Sequence, residues 1–369
     1  MKTRDAVLLY QETQTPDAST RTLDLDLVDP ISAIAFEFEA TNGTTNNQNN
    51  PLPFCVKTIE VVSGSDVLAK LSFRQMQALQ FYKVGGRPTL REDEGPSSVQ
   101  TIACMLLFGR HLWDQRYAFD PARFLNPQLR ITWDLAYTRA VAADTAFATG
   151  TFKISAIAKV MEDVASRPSE YLMAKEIEAW TGATSGDKRH EMPVDHVYRM
   201  LMLLQHNSFA GPEVSISKFK LTCDTDKYIP LERYTKQFNE EMAQLFGNVR
   251  VWKRYHAAHG DTIWFPIFKE PQFKAVSTVM GYLIQYGWCW TGNASIFVGD
   301  AAGTVVSTDS RFDAEIGGHS LHCSLPIPMG VMDDPATWFD PTPYKKIELV
   351  CTEGSATNNT LVTEQVRSL

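Results

Sequence analysis

At 369 residues the chain exceeds one typical domain of roughly 100–200 residues, so two domains, each able to bury a full core, are expected. Its 44% hydrophobic and 21% charged residues are the balance of an ordinary globular protein and exclude a disordered chain, while apolar runs such as Tyr198 to Leu204 fall far short of the roughly 20 residues a spanning helix needs. A net charge of −8 opposes a surface that grips nucleic acid through its phosphates, and in the first 21 residues Lys2, Arg4 and Arg21 are balanced by Asp5, Glu12 and Asp17, so no genome-binding arm is expected.

Residues 1–18 lack the long apolar core and small-residue cleavage site of a secretion signal and read as an N-terminal arm. Its Val7-Leu8-Leu9-Tyr10 run is open to two readings: a contact with a neighbouring molecule or an internal membrane, or a disordered terminus. Strand signals follow. From Ile31 to Ala40, Ile34, Phe36 and Phe38 share one side of a two-residue period and Glu37 and Glu39 the other, as a half-buried strand requires. The polar loop 42–50, Gly64-Ser65-Asp66 and Gly85-Gly86 are turns. Ser72, with Gln75 three residues later, forms a capping box for a helix that continues through Tyr82 and stops at Gly85. Leu129, Ile131, Trp133 and Leu135 alternate with polar residues, and Phe152 to Val160 repeat the pattern. Residues 19–165 thus form a first strand domain with one inserted helix. Residues 166–192, with Ser166-Arg167-Pro168-Ser169 and a polar run from Thr181 to Glu191, read as a linker holding a short helix around Tyr171 to Trp180, and 193–369 as the second domain. The six cysteines are scattered, with no C-x-x-C pair, and read as buried thiols of a reducing compartment.

The chain repeats itself. Val56 to Val61, a Gly-Ser-Asp turn, Val67 to Leu71 and the capped helix recur as Ile216 to Leu221, Asp224-Thr225-Asp226, Tyr228 to Leu231 and a helix from Glu232 to Phe246 closed by Gly247, about 160 residues on. Cys104 to Phe108, Phe119-Asp120-Pro121 and Leu129 to Trp133 recur as Cys323 to Ile327, Phe339-Asp340-Pro341 and Lys345 to Leu349, about 219 residues on. The wider spacing puts about 59 extra residues into an enlarged loop region at about 248–318 of the second copy, rich in Trp252, Tyr255, Trp264, Tyr286, Trp288 and Trp290. These aromatics are expected to fill the second barrel and a trimer contact, the rival being a stacking platform for sugar or nucleic acid.

Ile59-Glu60-Val61 through Leu71-Ser72 to Leu79-Gln80-Phe81-Tyr82, the segment Phe119-Asp120-Pro121 to Leu129-Arg130-Ile131, and the ending Leu361 to Arg367 resemble the double jelly-roll major capsid proteins of tailless icosahedral viruses, with a membrane-containing bacteriophage the expected source. The match covers roughly 20–369 and rests on the order and duplication of the motifs. The resemblance implies an all-β chain of two consecutive jelly-roll β-barrels, each with an inserted helix. It further implies a homotrimer forming a pseudo-hexagonal capsomer, with neighbouring capsomers and minor capsid proteins as partners. The protein would be made in the host cytoplasm and reside in the virion. No cofactor, metal or catalytic residue is implied, and Ser72, Gln75, Asp120, Pro121, Asp340 and Pro341 are structural. The alternatives are a carbohydrate-binding or carbohydrate-active β-sandwich protein, which would need paired acids beside an aromatic cleft, and a minor capsid or vertex protein of the same fold.

Three segments invite a chemical reading. Val298-Gly299-Asp300-Ala301-Ala302-Gly303 resembles a flavin-enzyme segment, but no G-x-G-x-x-G turn accompanies it, and a glycine-rich turn is the plainer reading. His319 and His322, beside Cys323, fall on opposite faces of a strand, and His256 and His259 could share a metal only on a helix that Gly260 interrupts. No G-x-S-x-G, H-E-x-x-H or P-loop motif occurs, so no enzyme is expected.

Overall fold

The computed structural model describes the chain except for residues 46, 48–50, 87, 92, 94, 136–146, 206–209, 278–281, 301, 303 and 306–309. Alternating apolar and polar residues build its strands, and these arrive twice in the same order. The first series is β1 (Lys2–Gln14), β2 (Ala18–Asp24), β3 (Ile31–Thr41), β4 (Val56–Ser63), β5 (Asp66–Leu71), helix α1 (Phe73–Val84), β6 (Thr89–Arg91), β7 (Val99–Leu107), β8 (Pro127–Asp134) and β9 (Phe152–Glu162). The second begins with β10 (Glu170–Thr181), β11 (Gly186–Met192), β12 (Tyr198–Gln205), β13 (Ile216–Cys223), β14 (Tyr228–Tyr234) and helix α2 (Thr235–Phe246). Six further strands follow, β15 (Val249–Ala257), β16 (Thr262–Trp264), β17 (Ile267–Ser277), β18 (Tyr282–Trp290), β19 (Asn293–Asp300) and β20 (Ser310–Leu321). The second series then closes with β21 (Ser324–Pro328), β22 (Ile347–Glu353) and β23 (Asn358–Ser368).

Sheet order makes the duplication explicit. In the first series one sheet runs β1-β9-β3-β7, with β6 at its edge, and the other β2-β8-β4-β5; in the second the orders are β10-β23-β12-β21 and β11-β22-β13-β14. Each of these strands except β6 therefore has a counterpart in the same place. The irregularities match too: bulges between Val7 and Leu9, Ile31 and Ala33, and Val56 and Thr58 recur between Glu176 and Glu178, Tyr198 and Met200, and Ile216 and Lys218. Ile31 bridges Phe119, and Tyr198 bridges Phe339 in the same way. The copies are joined edge to edge where β5 meets β10 in parallel at Lys70 and Lys175, so one sheet continues through both as β2-β8-β4-β5-β10-β23-β12-β21.

Two large cores result. Leu201, Leu203, Phe219, Leu221, Leu349 and Leu361 fill the second barrel. The other cluster joins Phe36, Phe38, Ile131, Trp133 and Phe152 of the first barrel to α1 and to the six-strand insertion, including Tyr255, Phe265 and Phe312. Of the aromatics expected to fill the second barrel, Tyr255 and Trp264 lie elsewhere: Tyr255 belongs to this joint cluster, and Trp264 meets Phe54 edge-on at 5.4 Å, on the side of the first barrel. The insertion forms two three-stranded sheets, β15-β20-β17 and β16-β19-β18.

Three expectations of local structure are corrected. The N-terminal arm is strand β1, paired with β9 from Lys2–Glu162 to Gln14–Phe152. The linker with its short helix is β10 and β11, and β10 pairs with β23 over its whole length. Helix α2 begins at Thr235 rather than Glu232, because Glu232, Arg233 and Tyr234 are held in a ladder opposite Lys220, Phe219 and Lys218. The later block of the repeat also shifts register. Val61 pairs with Leu129 where Leu221 pairs with Leu349, so Leu129 answers to Leu349 and not Lys345. Likewise Phe36 opposite Cys104 matches Leu203 opposite Leu325, which displaces Cys323 into a turn at φ 59°.

Candidate functional site

The site that gives this chain its shape is the junction between its repeats, organised by α1. Ser72 Oγ accepts the Gln75 backbone N–H at 3.3 Å, Gln75 Oε1 accepts the Ser72 N–H at 2.7 Å, and Gly85 ends the helix at φ 66°. Buried residues from Phe73 to Tyr82 occur around the whole helix, because α1 is covered on one side by its own barrel and on the other by the second. Gln75 does double duty, since its Nε2 also donates to Glu176 on β10 (2.5 Å) and Thr360 on β23 (3.0 Å).

In the last turn of α1, Lys83 Nζ donates to Glu364 Oε1 on β23 at 2.5 Å and to the Leu107 carbonyl at 3.0 Å. Arg199 on β12 reaches the other carboxylate oxygen at 2.5 Å and gives its Nε–H to the Met332 carbonyl at 2.9 Å. All three side chains are 1% exposed. Burial pulls Lys83 down to about 8 despite its partner. Burial would also raise Glu364, but the two cations outweigh it and hold the carboxyl below its ordinary value. Tyr82 Oη meets Ser324 Oγ at 2.8 Å, and His322 Nε2 meets Gln77 Oε1 at 2.8 Å, so polar contacts pin the helix along its length. Lys83, Arg199 and Glu364 stand far apart in the chain, and although Glu364 falls in the quoted ending Leu361 to Arg367, nothing there points to the other two; the folded structure brings them together.

The Asp-Pro turns sit at matched corners. Asp120 accepts the Ala122 N–H at 3.2 Å and Asp340 the Thr342 N–H at 3.0 Å, with Pro121 and Pro341 both buried. Their surroundings differ. Asp120 is fully buried and holds both oxygens on Arg167 NH1 at 2.9 and 2.8 Å, while Asp340 is exposed. A third turn of this kind, Asp334-Pro335, went unnoticed in the sequence and caps Ala336 at 3.1 Å. Asp120→Ala is expected to cost about 2–3 kcal/mol, because it removes a cap and charge-assisted hydrogen bonds, and Asp340→Ala about 1 kcal/mol. Urea unfolding of the two variants measures the difference; equal losses would show that the Arg167 fork contributes nothing.

The histidine pairs separate. His319 lies 3.9 Å from Glu240 on α2, whereas His322 stacks on Trp264 and bonds to α1. His256 is on strand β15 beside Asp93 (3.0 Å), and His259 meets Phe297 edge-on. Gly95 admits His256 closely, since a Cβ there would lie 2.7 Å from its ring. Among the described residues no group of three or more His, Cys, Asp or Glu could hold a metal. Of the glycine-rich segment, Val298 to Asp300 close strand β19, and 301 and 303 lie outside the described residues.

No protein-family model matches the sequence, and no curated protein does. Solved structures do. The MCP, or major capsid protein, of STIV (Sulfolobus Turreted Icosahedral Virus) superposes with a TM-score of 0.61 at 10% identity, over 99% of this chain and 97% of that one. The major capsid protein P2 from Bacteriophage PM2 gives 0.56 at 8% identity over 100% and 98%, and PBCV-1 VP54 gives 0.54 at 10% over 99% and 94%. At such identities the likeness is one of fold, carried by strand order and not by shared side chains. The chain has the double jelly-roll fold of these viral major capsid proteins.

Proposed function

We propose that the protein is the major capsid subunit of an icosahedral virus, three copies of which set six similar barrels around a pseudo-hexagonal capsomer. The observation that carries this reading is the duplication itself: two barrels with the same strand order and the same bulges, fused edge to edge, present near-equivalent walls from one chain. The fold shared with the capsid proteins of STIV and PM2 supports it. The division between barrels falls between Glu162 and Glu170, giving the first barrel β1 to β9 and the second β10 to β23 with its insertion. Contacts between capsomers would be polar and wet, those inside a capsomer larger and more apolar. No residue is required to do chemistry.

The test is the assembly state of the purified chain. Sedimentation is expected to give a species of three times 41.4 kDa, and electron microscopy hexagonal particles of that mass. A monomer at all micromolar concentrations would sink the proposal.

A further inference from the structure

The six-strand insertion returns to the second barrel at the corner between β20 and β21. Ser320, His322 and Cys323 all take left-handed backbone there, at φ 60°, 55° and 59°, and Gly318 sits at φ 151°. A Cβ on Gly318 would lie 2.5 Å from Ile267 and 2.7 Å from the Lys269 carbonyl, so β17 lies directly against the corner. Strand β17 bends at the same level, with a register shift between Lys269 and Gln272 and Glu270 at φ 47°. Left-handed backbone is costly for residues that carry a side chain, so the corner keeps this shape only while the contacts around it hold.

Those contacts centre on His319. The residue is 5% exposed, and its Nε2 stands 3.9 Å from Glu240 on α2, beyond hydrogen-bond reach and without a partner among the described residues. Beside it, Ser320 Oγ donates to Asn239 Oδ1 on the same helix at 2.9 Å. Opposite His319 on β17, Lys269 Nζ lies between Glu240 at 3.4 Å and Glu213, in the helical turn Pro212–Ser215, at 3.0 Å. The charged groups facing the imidazole are thus Glu240 from α2, Lys269 and Glu270 from β17, and Glu213 from the helical turn. Burial outweighs the three acids and holds the ring below its ordinary 6.5, so it is neutral at neutral pH.

We propose that His319 is an acid-operated catch between the insertion and the second barrel, released when its ring is protonated and the β20–β21 corner swings away from α2. Seated and neutral, the ring leaves one nitrogen unbonded. Seated and charged, it would have two N–H donors and a buried charge to satisfy, beside a carboxylate that Lys269 already draws away. Turning out to water satisfies both, and the costly backbone of the corner is relieved in the same movement. The sign follows from the burial: the seated ring binds a proton less well than an exposed one, so acidification below 6.5 favours the open corner until the seated ring is itself protonated. The catch lies within one chain and needs no second copy.

Hydrogen exchange of the full chain, followed by mass spectrometry from about pH 7.5 to about pH 5 and referenced to β22 of the same molecule, tests this. Protection of residues 315–323 is expected to fall relative to β22 as the pH drops below about 6.5, by at most about tenfold per pH unit, the slope of a single proton. His319→Gln, which cannot take the charge, should abolish that fall. Glu240→Gln, which removes the acid that most favours the charged ring, should deepen it. A wild-type corner whose relative protection does not change over this range overturns the proposal, as does a His319→Gln chain that loses protection in acid like the wild type. If His319→Gln does not fold, Glu240→Gln decides: an acid loss no deeper than that of the wild type overturns the catch.

Discussion

Glutamine in place of Glu364 is expected to destabilise the protein by about 3–5 kcal/mol, among the largest effects available to one nearly isosteric change. The carboxylate lies between Lys83 and Arg199 with all three side chains 1% exposed, so removing its charge leaves two cations buried without a counter-charge. Hydrophobic replacement of the whole group is a different matter. Lys83→Met, Arg199→Met and Glu364→Leu together remove the desolvation penalty with the attraction, and the triple variant should recover most of the loss. The pH dependence follows from the shifts. Glu364, held below its ordinary 4.5, contributes stability that is present in full above that value and is lost as pH falls through the folded one. Lys83 acts in the other direction: lowered from 10.5 to about 8, it binds its proton less well when folded, so stability due to it rises with pH between those values. Calorimetry should show an acid limb that Glu364→Gln flattens and an alkaline rise that Lys83→Met abolishes. A Glu364→Gln protein as stable as the wild type would mean that the junction is open to water.

How far the sequence discloses this architecture depends on whether a local rule survives in the fold. Strands β3, β8 and β9 are regular, with Ile34, Phe36 and Phe38 or Leu129, Ile131 and Trp133 on one face, and their alternation is plain. The capped helix and the Asp-Pro turns are equally local. Strands β1 and β10 are hidden for a physical reason. Each carries a bulge after Val7 or Glu176 that flips the alternation, and in β10 the run Leu-Met-Ala-Lys-Glu favours a helix until pairing with β23 overrides it. These two are counterparts in the repeat, so the same irregularity hides the strand at Lys2–Gln14 and the strand at Glu170–Thr181. The junction escapes for another reason: Lys83, Arg199 and Glu364 look like surface charges until long-range pairing buries them, and pairing across such separations leaves no periodic trace.

Aspartate at Ile131 is expected to prevent the first barrel from folding. Ile131 is fully buried on β8, opposite Ile59 on β4 and Arg21 on β2, inside the cluster that also holds Trp133 and α1. The cation opposite that position, Arg21, is already held by Glu12 at 3.2 Å. Ionised, the new carboxyl costs several kcal/mol or more, and protonated it still carries polar atoms without partners, against a total stability of about 5–15 kcal/mol for a domain. Ile131→Val at the same site removes one methylene and should cost only about 0.5–1.5 kcal/mol, which separates the effect of charge from that of lost volume. Leu349, the counterpart of Leu129 on β22, allows the same experiment in the second barrel, whose core is a separate cluster. The two barrels share one continuous sheet and the buried junction, so failure of either core exposes α1 and the uncompensated charges beside it. Both aspartate variants are therefore expected to lose the whole fold in one step, with insoluble expression or a featureless near-ultraviolet spectrum. Soluble Ile131→Asp protein that unfolds cooperatively at the wild-type midpoint would show that β8 does not face the core, and a Leu349→Asp chain retaining half of the native signal would show that the first barrel stands without the second.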